Sequence, residues 1–180
     1  MDSGHEGIEA DTKDWTWVLD RRCPACGYDA AATRAQDVAG RLRAQVPLWE
    51  SALAGPPSRV RRRPSPAVWS VLEYGCHVRD VCRVFDGRVA RMLTEDAPAF
   101  GNWDQDATAE AEDYPAQDPA EVSRQLAGAA AVLADRFDAV PPTAWDRHGH
   151  RGDGSTFTVD SLSRYFLHDL VHHLHDIGGG

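Results

Sequence analysis

Apolar residues return at three- and four-residue steps in several stretches of this chain. Val38, Leu42, Val46, Trp49 and Leu53 form one such face and predict a helix from about 29 to 53. Pro47 should kink it, because proline lacks an N–H and clashes with the preceding turn; Gly55-Pro56-Pro57 should end it. A second stripe, Tyr74, His77, Val78, Val81, Phe85, Val89 and Met92, predicts a helix over 70–94, with Ser70 and Glu73 spaced as a capping box. Asp118-Pro119-x-Glu121 starts a third helix, whose face is Val122, Leu126, Leu133, Phe137 and Val140. A fourth begins at Thr158 or Asp160 and runs to about Ile177, with Gly178 as its stop. The second and third helices are joined by a long crossover read as irregular. Asp153-Gly154 marks a small hairpin before the fourth. Four long amphipathic helices predict an all-α four-helix bundle over 29–180. Residues 1–28 stand apart as an N-terminal extension: a disordered start to about residue 14, then "DWTWVLD", an apolar strip lying over the core. "SRVRRRPSP" reads as an exposed basic connection.

Composition narrows the class. The chain has 180 residues, 42% hydrophobic and 26% charged, with net charge −9. That size suffices for one core, and that charge argues against nucleic acid or an anionic membrane as partner. No apolar leader is visible, and a cytoplasmic location is expected. Lys13 is the single lysine among many arginines, which points to a GC-rich, actinobacterial type of genome. The assembly state is open, a homodimer included.

The chemistry gathers at the C-terminus. "HDLVHHLHDI" holds His168, His172, His173 and His175, half of the eight histidines present. They are interleaved with Leu167, Leu170, Val171, Leu174 and Ile177, which argues against a merely solvated tail. His168 and His172 lie four apart, so their Cβ atoms are about 5–6 Å apart on one face. His77, on the apolar stripe of the second helix, is the best third ligand. Three imidazoles suit zinc first, then nickel or iron, and leave positions open for catalysis. Tyr165, His173 and His175 are candidate catalytic groups. Asp80, Trp103 and Asp176 are candidates for backing the ligands or lining a pocket.

Cys23-Pro24-Ala25-Cys26-Gly27 is the other sharp motif. C-P-x-C-G is half of a zinc knuckle, and a full site needs two more ligands. Of the remaining cysteines, Cys76 and Cys82 fall on different faces of the second helix. A tight turn with inert thiols, a redox pair and half of a subunit-bridging metal site all remain open.

"WSVLEYGCHVRDV" and, far downstream, "YFLHDLVHHLHDI" resemble the DinB/YfiT-like superfamily. The resemblance spans about residues 29–177 and implies a four-helix bundle. It also implies a divalent metal held by one histidine of the second helix and an H-x3-H pair on the last, here His77, His168 and His172. His173 matches the second of the paired histidines. Many members continue H-H-R-G-Q where this chain has Leu174-His175-Asp176. The resemblance implies a metal-dependent enzyme acting on a small molecule: a transferase of a low-molecular-weight thiol such as mycothiol, related to maleylpyruvate isomerase, or a hydrolase. A non-catalytic stress-response module is the third reading.

Overall fold

The computed structural model describes residues 14–178; the expected disordered start and the last two glycines lie outside the described residues. Four helices make the bundle: α1 (Val38–Leu53), α3 (Val71–Thr94), α5 (Pro119–Asp138) and α6 (Val159–Asp176). Helices α3 and α5 pack together, α5 on α1, α1 on α6, and α6 back on α3. A single turn, α2 (Pro57–Val60), bridges α1 and α3. Among the described residues, no helix is long and apolar enough to cross a membrane.

The helix starts follow their caps. Ser70 Oγ accepts from the Glu73 N–H, and the Glu73 carboxylate accepts from the Ser70 N–H, so two orphan donors of α3 are satisfied. Asp118 caps α5 ahead of Pro119. Thr158 caps α6 in a reciprocal pair with Ser161. The first helix starts later than its pattern suggested. Asp29 accepts from the backbone N–H groups of Ala31 and Ala32 at 3.0 and 3.2 Å, a local turn that competes with helix. One 3-10 turn follows before α1 begins at Val38. Pro47 is exposed, and α1 runs through it unbroken.

The crossover is more ordered than expected. It holds β1 (Ala99–Phe100), α4 (Gln105–Ala111) and a 3-10 turn at Tyr114–Ala116. The hairpin forms as β2 (His148–Arg151) and β3 (Thr156–Thr158), and β1 joins β2 in parallel to make a three-stranded sheet. That sheet sits hard against α3: a Cβ on Gly149 would fall 2.7 Å from Phe100 and 2.9 Å from Met92. The N-terminal strip does lie on the core. Val18, Cys23 and Tyr28 are buried, and the Tyr28 hydroxyl donates to the Arg164 carbonyl at 2.9 Å.

Candidate metal centre

The third residue of α3's second turn and the last three turns of α6 face each other across the bundle. Among the described residues, two groups of donor atoms lie within 4.8 Å of one another: His77, Asp169 and His173, and Cys23, Cys26, His168 and His172. The expected trio of His77, His168 and His172 does not form. His77 meets a D-x3-H pair displaced by one residue from the H-x3-H pair. One residue turns an α-helix by about 100°, so the two pairs occupy neighbouring faces of α6.

In the first group, the His77 and His173 rings are 4.8 Å apart, edge to face. His173 Nε2 lies 3.2 Å from Asp169 Oδ1, and its Nδ1 lies 3.0 Å from Asp176 Oδ2. His77 Nε2 is 3.6 Å from Asp169 Oδ2, too long for a hydrogen bond. Both ring nitrogens of His77 and Oδ2 of Asp169 are buried without a hydrogen-bond partner. Burying polar atoms unpaired is costly, and a divalent cation would satisfy two of the three, Oδ2 of Asp169 and one ring nitrogen of His77. Two imidazoles and a carboxylate are a donor set that zinc and iron accept, with positions left over. Asp176 then holds the outer nitrogen of His173, the usual support for a ligating imidazole.

His77 and Asp169 are held in the protonation states that a metal needs, whereas His173 holds a proton that it would release on binding one. Burial pushes His77 below the ordinary histidine value, outweighing the pull of Asp169. Burial works to raise Asp169, but His173 and His77 hold it well below the usual carboxylate range. His173 is opposed by burial yet pushed up to about 9 by Asp169 and Asp176.

Other expected residues fall out differently. Asp80 does not back His77. It accepts from Arg79 at 2.9 and 2.8 Å, from Arg83 at 3.0 Å and from the Tyr114 hydroxyl at 2.7 Å, a structural ion-pair network. His175 is exposed and belongs to neither group. Trp103 stacks on His77, rings 5.4 Å apart and 12° from parallel. Cys76 and Cys82 are buried on α3, outside both groups.

A cleft of about 550 Å³ opens beside Asp169 and His173 of the first group and is bordered also by His168 and His172 of the second. Asp169, His173, Trp103 and Tyr165 line it, so Tyr165 is placed as a pocket residue. Arg88 and Arg151 line it too. Burial pushes Arg88 down to about 10; it donates to the Gly101 carbonyl and lies over the Phe85 and Phe100 rings. Arg151 is held by Asp153 at 2.7 Å. Sequence reasoning passed over Asp169, Arg88 and Arg151. Asp169 had a signal, since it stands four residues before His173.

Fold and donor set together define a four-helix bundle carrying side chains that could hold a metal ion on its second and last long helices. A sequence model of the DinB superfamily matches residues 54–177, and the chain belongs to that superfamily. Among solved structures it is similar to YfiT from Bacillus subtilis, described as a probable metal-dependent hydrolase with an unusual four-helix bundle topology. The two share 20% identity over 81% of each chain, with a TM-score of 0.63, which is a likeness of fold. No curated protein sequence matches the chain significantly.

Proposed function

We propose that this protein is a metal-dependent enzyme that transfers a low-molecular-weight thiol, of the sugar-linked mycothiol type, to a small electrophile or catalyses a related isomerisation. The observation that carries the reading is the open three-donor group His77, Asp169 and His173 beside a cleft walled by Arg88 and Arg151. A divalent ion held there, zinc foremost, supplies Lewis acidity that favours the thiolate form of a bound thiol near neutral pH. Asp169 and His173 present their donor atoms at the cleft, and Asp176 fixes the tautomer of His173. The two guanidiniums offer bidentate hydrogen bonds to carboxylate or other anionic groups of the substrates. Trp103 and Tyr165 supply flat apolar walls, and Asn102 and Gln105 add hydrogen-bonding capacity suited to a sugar.

The second reading is hydrolysis. It is favoured by the description of YfiT and by the same donor set, because a metal also lowers the pKa of water. A side-by-side assay separates the two. Zinc-loaded protein is offered a panel of epoxides, activated alkenes and activated esters, with and without mycothiol. Thiol consumption that requires the protein and disappears in His173→Ala supports transfer. Ester cleavage of the same rate with and without thiol supports hydrolysis and overturns the transferase reading.

A further inference from the structure

The second donor group has a different chemistry. Gly27, at φ +75°, turns the chain after the two cysteines, and its N–H donates to the Cys23 carbonyl at 2.9 Å. The Cys23 N–H in turn reaches the Tyr28 carbonyl at 2.8 Å. This turn places Cys23 and Cys26 against His168 and His172 of α6, all four donor atoms within 4.8 Å of one another. Cys23 is 1% exposed and His168 4% exposed, and Nε2 of His168 is buried with no partner.

We propose that Cys23, Cys26, His168 and His172 bind one zinc ion in a closed tetrahedral site that staples the N-terminal segment to α6. Two sulfurs and two imidazole nitrogens select zinc among the common divalent metals. Four protein ligands leave no position for substrate, so the site is structural. One edge of the tetrahedron is already in place. Zn–S of about 2.3 Å and Zn–N of about 2.0–2.1 Å, at a tetrahedral angle, put sulfur and nitrogen about 3.6 Å apart. Cys23 Sγ and His172 Nδ1 are 3.6 Å apart. The outer nitrogen of His172 faces Asp176 at 3.8 Å, within reach of a supporting carboxylate. Trp15 packs on both imidazoles, with ring separations of 5.7 and 5.1 Å, and Tyr28 on His168 at 5.7 Å. The ligands thus sit under aromatic cover, where thiols and imidazoles have few other polar partners.

The test uses the full untagged chain, purified with reductant and without chelator. Zinc is measured by elemental analysis in the wild type, in Cys23→Ser/Cys26→Ser and in His77→Ala. The double serine variant should lose one equivalent relative to wild type, and His77→Ala should keep that equivalent. Cobalt(II) exchanged into the wild type should give the near-ultraviolet thiolate-to-cobalt charge-transfer band, present also in His77→Ala and absent from Cys23→Ser/Cys26→Ser. The band reports sulfur ligation alone, so it stands whether or not the cleft binds an ion, and the wild-type spectrum decides even where a serine variant fails to fold. A wild type with no such band, a Cys23–Cys26 disulfide in place of bound metal, or unchanged zinc in the double serine variant would each overturn the proposal.

Discussion

Replacing Asp80 with alanine should destabilise the protein while leaving its metal content intact, and Asp169→Asn should do the reverse at the cleft. Both aspartates lie within a turn of a histidine, and only their partners distinguish them. Asp80, whose side chain is 12% exposed, accepts a bidentate pair from Arg79, itself 4% exposed, and further bonds from Arg83 and Tyr114. Removing it strands the Arg79 charge in the interior, with the Gln117 and Gln125 side-chain oxygens, at 2.7 and 2.9 Å, as partial compensation. Breaking a buried pair in this way costs about 3–5 kcal/mol. At about 2–4 °C per kcal/mol for a chain of this size, the melting temperature should fall by roughly 6–20 °C. Asp169 instead offers an oxygen with no hydrogen-bond partner beside two imidazoles. Its amide analogue keeps the shape and loses the charge that a cation needs. The assay pairs thermal unfolding, followed by circular dichroism, with elemental analysis of each variant. An Asp80→Ala protein that melts within about 2 °C of wild type, or that sheds the cleft ion, would refute this division of labour.

Further expectations follow from individual contacts. His77→Ala and His173→Ala should each lose the cleft ion, whereas His175→Ala, at an exposed position, should retain it in the same elemental analysis. Glu73 is raised by burial but held lower overall by Arg63 and Ser70, so its folded pKa lies below the unfolded one. The stability it contributes is therefore present above the unfolded value and lost as pH falls through the folded one. Denaturant curves should show Glu73→Gln less stable than wild type by about 1–2 kcal/mol at pH 7, with the gap closing below about pH 4; a gap that persists in acid would count against the ionic account. Gly149→Ala should cost about 1–3 kcal/mol, because its Cβ would meet the Phe100 ring and the Met92 chain, and a melting temperature equal to wild type would show that the sheet yields freely. Arg88→Met should weaken use of anionic substrates by roughly tenfold or more while thermal stability holds or rises, since the guanidinium is desolvated over two phenylalanine rings.

The bundle was legible because its signals are local. Ser70 with Glu73, Asp118 with Pro119, and Asp153-Gly154 each mark an element through contacts within a few residues. The start of α1 was not, because the Asp29 side chain captures backbone donors that a periodic pattern assumes to be helical. Strand β1 is two residues long and is defined by a parallel partner some fifty positions away, beyond any local pattern. The histidine cluster announced metal chemistry, yet its grouping depends on how α6 is turned relative to α3, which spacing alone leaves undetermined. The cysteine pair looked incomplete when its partners were sought among the other cysteines. Its neighbours are histidines nearly 150 positions downstream, the Cys23–His172 separation being 149.

Two donor pairs at i and i+4, set one residue apart on the same helix, make α6 behave like a keyed shaft. Turning it by one residue would present the wrong pair to each partner: His168 and His172 would swing towards His77, and the cysteines would lose theirs. The key that sets the angle lies away from the donors, in the buried stripe Leu162, Phe166, Leu170 and Leu174 and in the contacts of Arg164 with Ala30 and Tyr28. Residues that touch no donor atom thereby decide which chemistry each histidine serves, and a substitution among them would rewire both clusters at once while leaving the sequence of the histidine motif unchanged.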